Sequence, residues 1–480
     1  MPGSALVLDR LGARPAARRA NVRWALAGLS LAALLPSLAT SSVNATLPQL
    51  AQAFHTSFQG TQWIVLAYLL AVTGLSASAG RVGDLAGRRP TLLAGLGIFA
   101  VASMLCAGSA TLAGVLAARV LQGVGAALVM ALAVALVNDA VPEQATGRAM
   151  GLLGTTSAIG TALGPALGGV LAAHFGWRAI FIVNVPVAVL AAGLVSRHVP
   201  AKRVTAESGG ARLDVAGTAA LVMTLVPCAL ALTAGLRQPG LHTIGLLGLG
   251  SAGLVAFVHT QRASAAPLVP LALFRNRRTT AGLLSTAIVS AVMMGTLIVG
   301  PFYLSVALGL PPALAGLVLS IGPAVAAIGG VPAGWLVDRH GPGGVAVAGL
   351  AVTGCGACVL ALAPGQGGLL PYVGPLVLMT AGYAAFQAAN NTDLMRQADA
   401  GRRGLMAGLL GLSRNLGLIT GAAVLGSVFR AVSAVDSTAA SAGAVTSGMR
   451  ITFAVTAALA LTAVGVTASA VRPRTNAAPR

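Results

Sequence analysis

Between Arg23 and Arg81 the chain runs for 57 residues without one aspartate, glutamate, lysine or arginine. Crossing a bilayer core takes about 20 apolar residues, so this stretch, broken by Pro36, Pro48 and Gly60, has room for two helices and a turn. The pattern recurs: 59 uncharged residues separate Arg278 from Asp338, and 53 separate Arg339 from Asp393. A soluble chain coats its surface with charge, normally about 25% of its residues. Here 8% are charged, 56% are hydrophobic, and only ten of 480 are acidic. Each long stretch therefore reads as a pair of membrane spans, and the shorter apolar runs between charged loops read as single spans. The sum is fourteen, which makes this an all-α integral membrane protein.

A formal net charge of +20 would suit a nucleic-acid partner. The basic residues, however, gather in short loops between apolar runs, which is how a membrane protein sets its orientation. With both termini cytoplasmic, 24 of the 30 lysines and arginines fall inside and four outside, while Arg119 and Arg414 lie within spans. Aromatic residues, at 4%, are too sparse for a base-stacking surface. The expected partner is the lipid bilayer, with no nucleic acid, and the chain is expected to work as a monomer in a bacterial inner membrane. The basic N-terminus resembles the start of a signal peptide, but many further spans follow it, so the first helix reads as uncleaved. Cys106, Cys228, Cys355 and Cys358 all sit in apolar runs. The CxxC pair lacks the polar setting and further ligands of a metal or redox site, so all four read as small packing residues. Gly248-x-Gly250-x-x-Gly253 has the spacing of a dinucleotide fingerprint, but it lies inside a span with no strand before it. Neither a cofactor, a metal nor an enzymatic activity is expected.

An internal repeat organises the spans. Gly80-Arg-Val-Gly-Asp84-Leu-Ala-Gly87 returns as Gly334-Trp-Leu-Val-Asp338-Arg-His-Gly341, 254 residues later. Gly147 to Gly164 is echoed by Gly404 to Gly421 at an offset of 257. Chance matching in a glycine-rich chain is the bland alternative, but both echoes fall at the same place in their block. Two parallel six-helix bundles, 23–198 and 279–471, are expected to flank a linker, 199–278, that carries two extra helices. Tails at 1–22 and 472–480 complete the chain. Parallel halves around a central cavity are a transporter architecture.

Three segments carry physical signals. In the first, the glycines permit a tight turn between helices, and Arg88 and Arg89 would orient the helix that follows. Asp84 would be free to approach a helix N-terminus, whose partial positive charge favours an anion. Arg119 sits in an apolar span, where insertion of an arginine costs about 2.5–3.5 kcal/mol on the lenient scale. It is either functional or structurally capped, and Arg414 poses the same choice more weakly. In the third segment, Gly164-Pro165 interrupts a helix's hydrogen-bond ladder, while Gly160, Gly168 and Gly169 allow close backbone approach. A pivot for conformational change and ordinary glycine packing both fit.

GRVGDLAGRRP (Gly80 to Pro90), Arg119-Val-Leu-Gln122-Gly123-Val-Gly125, Gly160-Thr-Ala-Leu-Gly164-Pro165-Ala-Leu-Gly168-Gly169, Trp177-Arg178-Ala-Ile-Phe181-Ile-Val-Asn184-Val-Pro186 and Pro270-Leu-Ala-Leu-Phe274 together resemble the major facilitator superfamily, in its fourteen-spanner drug:proton antiporter branch. The likeness covers nearly the whole chain. It implies a secondary transporter that exports lipophilic small molecules in exchange for protons. It further implies that Asp84, with Gly80, Gly87, Arg88, Arg89 and the equivalent Asp338, latches the outward-facing state against the start of the thirteenth span. Arg119 would then take part in proton coupling, and Gly160, Gly164, Pro165, Gly168 and Gly169 would form the antiporter motif of the fifth span. Candidate cavity groups are Asn44, Tyr68, Gln122, Asn184, Tyr383, Gln387 and Asn390.

One departure stands out. The branch usually carries an acid in the first span, where this chain has Ala39. Every acid is expected in a loop or near a helix end, so a coupled proton would have to use a peripheral carboxylate such as Asp139 or Asp393, or the substrate itself. With Arg119, Arg414 and no acid expected in the cavity, neutral, zwitterionic or anionic lipophilic compounds are expected to be favoured over permanent dications. A transport-inactive membrane sensor or scaffold and a nutrient importer remain the alternatives.

Overall fold

A computed structural model describes residues 15–141, 146–200, 214–235, 240–264, 267–363, 368–398, 403–433, 435 and 441–471. Most of the tails, and the loop residues Lys202, Arg203, Arg212 and Arg237, lie outside the described residues. Sixteen α-helices make up the described chain: α1 (Pro15–Ala45), α2 (Leu47–Ala53), α3 (Phe58–Ala86), α4 (Arg88–Gly108), α5 (Leu112–Ala140), α6 (Thr146–Phe175), α7 (Ala179–Ile182), α8 (Asn184–His198), α9 (Val215–Gly235), α10 (Leu241–Ala263), α11 (Arg277–Phe302), α12 (Pro312–His340), α13 (Pro342–Ala361), α14 (Leu370–Gln397), α15 (Arg403–Ser433) and α16 (Ala442–Val471). Thirteen helical segments, counting α7 with α8, are long and apolar enough to cross a membrane. The fourteenth, α14, is long enough at 28 residues, but Pro371, Tyr372, Pro375, Tyr383 and Gln387 dilute its hydropathy. Part of its polar surface is the wall of a cavity.

Local signals explain where the helices begin and end. Ser57 Oγ accepts from Gly60 N at 3.2 Å to open α3, and Thr111 Oγ1 accepts from Gly114 N at 3.2 Å to open α5. Gly87 (φ 91°) and Gly341 (φ 79°) separate α3 from α4 and α12 from α13 at equivalent places in the two echoes. Both adopt the left-handed backbone that glycine tolerates without strain. The sixth span runs on through α7 and α8: Pro186 has no N–H for the Ile182 carbonyl, so one helical hydrogen bond is lost, while Val183 keeps helical dihedrals.

Helices α1 and α3–α8 form one bundle and α11–α16 a second. The extra pair, α9 and α10, packs against the seam between them, with α9 touching both α3 and α15. Ser78 and Thr218 share a 2.5 Å hydrogen bond across α3 and α9, and Ser427 Oγ donates to Leu232 O at 3.0 Å across α15 and α9. Two glycines of the apparent dinucleotide fingerprint serve this pair: a side chain on Gly250 would come within 2.5 Å of Cys228 Sγ and one on Gly253 within 2.7 Å of Met223 O, both on α9, whereas Gly248 has open space beside it. Cys355 and Cys358 are exposed on α13, so they do not pack between helices as the sequence suggests. An apolar helix face surrounded by lipid needs no protein neighbour.

Candidate functional site: a cavity between the two bundles

The first wall of the cavity comes from α1, where Ser37, Thr40, Ser41 and Asn44 recur at helical spacing on one face. Ser37 Oγ meets Ser157 Oγ of α6 at 2.6 Å, and Thr161 lies one turn further on. Thr40 Oγ1 donates to Pro36 O at 2.8 Å, and Ser41 Oγ to Ser37 O at 2.7 Å. These hydroxyls spend their protons on their own helix and turn lone pairs outward. Asn44, which is buried, has no partner on either amide atom among the described residues. The opposite wall comes from α11, α12, α14 and α15, and includes Ser290, Thr380, Tyr383, Arg414 and Asn415. Leu69, Val72, Leu297, Leu319 and Leu376 fill much of the remaining lining. This lobe holds about 240 Å³. Ser290, Tyr383 and Arg414 also line a second lobe of about 310 Å³, which continues between α11, α14 and α15 to Met395 and Ala407.

Of the residues singled out from sequence, Asn44, Tyr68, Tyr383, Gln387, Asn390 and Arg414 line these two lobes. Gln387 Nε2 donates to Tyr383 Oη at 3.2 Å, and Asn390 Nδ2 donates to Thr286 Oγ1 at 2.8 Å. Gln122 and Asn184 are not brought to the cavity. Asn184 Nδ2 donates to Ile180 O at 3.1 Å, where α7 runs into α8. Gln122 lies within the first bundle, where its Oε1 accepts from Arg119 Nη1 at 2.6 Å and its Nε2 donates to Ser103 Oγ at 2.8 Å. Arg119 is fully buried. Its Nε donates to Ile64 O at 3.0 Å, and its guanidinium stacks 4.2 Å from the Tyr68 ring centroid. Tyr68 therefore separates this arginine from the cavity. The hydroxyls of α1 and α6, with Ser290 and Asn415, went unnoticed in the sequence, although the Ser37–Asn44 periodicity was there to be read.

The described acids are Asp84, Asp139, Asp214, Asp338 and Asp393, each within five residues of a helix end. None lines the cavity, and Ala39 is buried in the first span. Asp214 caps α9, accepting from Gly217 N at 2.7 Å. Asp393 accepts from Gln397 Nε2 at 2.8 Å. Asp84 pairs with Arg88 at 3.0 Å, and Arg88 reaches on to Asp139 of α5 at 3.0 Å. Arg89 donates to Ser196 O of α8. The loop motif thus ties α3, α4, α5 and α8 together within the first bundle, and Asp84 makes no bond to α15. Asp338 is exposed and has no hydrogen-bond or ion-pair partner among the described residues.

At the opposite end the two bundles are joined. Gln62 Nε2 donates to Ala422 O, and Arg430 of α15 donates to Gln59 Oε1 of α3 and, at 3.4 Å, to Thr233 O of α9. Arg430, three residues before the end of α15, is buried at this contact. Phe58, Phe302 and Phe429 close together with ring centroids 4.9–6.4 Å apart. The glycine-rich segment of α6 completes the seam. Side chains on Gly160, Gly164 or Gly168 would strike Leu34, Ser41 or Ser42 of α1, and one on Gly169 would lie 2.4 Å from Pro312 O of α12. Ser320 Oγ accepts from Ala166 N at 2.8 Å across the same contact. Pro165 leaves α6 continuous, and its own carbonyl faces Gly316. The cavity is therefore closed at the Phe58 end, and its second lobe leads towards the end that carries Asp84.

The profile of the Major Facilitator Superfamily matches residues 29–422. A riboflavin transporter, RibZ of Clostridioides difficile, is 28% identical over 404 residues, spanning 84% of this chain and 87% of that protein. The tetracenomycin C resistance and export protein of Streptomyces glaucescens is 30% identical over 407 residues, spanning 84% and 74%. Among solved structures, an inward-facing, unoccupied bacterial homologue of the human lysosomal transporter Spinster superposes with a TM-score of 0.70 at 16% identity, covering 96% of this chain and 98% of that one.

Proposed function

The chain belongs to the Major Facilitator Superfamily, a family of transporters and not of enzymes, and on that premise we propose that it exports lipophilic small molecules across a bacterial inner membrane by alternating access. The observation that carries this reading is a cavity between the two bundles, adjoined by a second lobe within the second bundle, with the bundles joined at one end by Gln62, Arg430 and the Phe58–Phe302–Phe429 cluster. With both termini cytoplasmic, the joined end faces outward and the arginine-rich loops face the cytoplasm. The bundles 23–198 and 279–471 then rock about the cavity, while the helices of 199–278 bridge the seam. A single chain encloses the whole cavity, which supports a monomer as the working unit.

In the outward-facing state, Asp84 leaves its exposed pairing with Arg88 and docks on the start of α15, closing the cytoplasmic end. The glycine seam of α6 supplies the pivot. Export is coupled to proton entry. Asp393, one turn from Asn390 at the cytoplasmic side, and Asp139 are the acids placed to take protons, while Arg119 acts on the cavity through the Tyr68 ring. Export is favoured over uptake by the resistance and export function named for the tetracenomycin relative. The riboflavin transporter favours a nutrient importer as the second reading. Everted vesicles carrying the protein should accumulate members of a dye and antibiotic panel and lose them when an uncoupler is added. Accumulation equal to that of vesicles lacking the protein would overturn the proposal.

A further inference from the structure

We propose that the cavity takes lipophilic monoanions, such as aryl carboxylates, and that Arg414 holds their anionic group. This deepens the exporter reading and rests on it. Arg414 stands where the two lobes meet, eleven residues into α15. The buried arginines elsewhere are occupied: Arg119 by Ile64 O and Gln122, and Arg430 by Gln59 and Thr233 O. Half-buried Arg450 donates to Ala363 O at 2.7 Å. Arg414 has no hydrogen-bond or ion-pair partner among the described residues. An arginine stays charged at any physiological pH and offers five N–H donors in a fork that fits a carboxylate.

The surroundings favour an anion over other ligands. No described acid lines either lobe, so the charge of Arg414 is not offset within the cavity. The Tyr383 hydroxyl accepts from Gln387, which leaves its own proton to give. Ser290 and Asn415 make no hydrogen bond among the described residues and lie on the same wall. On the facing wall, the hydroxyls of Thr40, Ser41 and Thr161 have already given their protons to helix carbonyls. Arg414, the Tyr383 hydroxyl, Ser290 and Asn415 therefore gather donors on one side, Asn44 on the facing wall offers one further amide donor, and Leu69, Val72 and Leu297 offer apolar surface to the body of the ligand. A permanent cation would bring a second positive charge into a low-dielectric space beside the first, which is repulsive. Moving an anion outward is also assisted by an inside-negative potential, by about fiftyfold in concentration ratio per 100 mV.

The test is equilibrium binding to the full-length protein in phosphatidylcholine nanodiscs. The probes are 2-naphthoate, biphenyl-4-carboxylate and anthracene-9-carboxylate, each paired with its neutral carboxamide. Charge-assisted hydrogen bonds to a desolvated arginine should favour the carboxylate by about ten- to a hundredfold. Arg414→Gln should bring the carboxylate-to-carboxamide ratio towards one, and Arg414→Lys should keep it above one. A wild-type ratio near one for all three pairs would overturn the proposal, as would a full ratio in a well-folded Arg414→Gln protein. Flux in proteoliposomes separates this from the exporter reading. Carboxylate binding without flux leaves the site standing and removes the exporter. Flux of neutral compounds without anion preference does the reverse.

Discussion

Gly164 offers the sharpest structural prediction, because the atoms that a side chain there would meet are known. A Cβ on Gly164 would lie 1.8 Å from Ser41 Oγ, 2.7 Å from Ser41 Cβ and 3.0 Å from Ser42 N. Gly164→Ala must therefore push α1 and α6 apart at the seam. Overpacking of this kind costs about 1–3 kcal/mol, and it should lower the melting midpoint in nanodiscs by a few degrees. Ser41→Gly removes the two nearest atoms, so that the nearest remaining contact is the one of 3.0 Å to Ser42 N. Alone it costs stability, since Ser41 Oγ also donates to Gly160 O at 3.2 Å. In the Gly164→Ala background it should instead recover stability, with a coupling of about 1–3 kcal/mol. Gly154 on the same helix, with nothing near its missing Cβ, is the control. Gly154→Ala should be neutral or stabilising by up to about 1 kcal/mol. Additive losses in the double variant, or equal losses at Gly154 and Gly164, would refute the reasoning.

Three further outcomes are expected. Asp84→Asn should bias the protein towards the cytoplasm-open state at unchanged abundance, read as greater labelling of single cysteines near Met395 and less near Phe58. Arg430→Gln removes the donor that joins α15 to Gln59 and Thr233 O, and should raise labelling of a cysteine at the Phe58 end. Arg119→Met leaves Gln122 Oε1 and the Ile64 carbonyl short of a donor inside the bundle. It should cost about 1–3 kcal/mol for the buried acceptors left unpaired, visible as a loss of folded protein on size-exclusion chromatography, whereas Arg119→Lys should lose less.

The span count and the repeat were legible because they depend on composition and spacing alone. Charge-free stretches mark helices, and the paired glycines reappear as Gly87 and Gly341, both with positive φ. The hydrogen bond that Pro186 withholds from the Ile182 carbonyl leaves the sixth span continuous, as its unbroken apolar run suggests. Which way a side chain points was not legible. Gln122 and Arg119 share a span with residues that could face either inward or towards neighbouring helices, and only packing sends them to Ser103 and Tyr68. That Arg430 is buried was not legible either, because its partners Gln59 and Thr233 are distant in the chain and only packing brings them to α15. Conversely, Ser37, Thr40 and Ser41 look like ordinary small residues until the face they share with Asn44 meets the second bundle.

Paired distance measurements across both ends of the molecule test the central claim most directly. In a background with the four cysteines replaced, spin labels at Leu85→Cys and Gly404→Cys report the cytoplasmic end, and labels at Phe175→Cys and Leu314→Cys report the outer end. Alternating access about one cavity predicts two populations at each end, with opposite shifts. As an imposed proton gradient or a bound substrate lengthens the outer distance, the cytoplasmic distance should shorten. A single fixed distance at both ends under every condition, or widening at both ends together, would contradict the account.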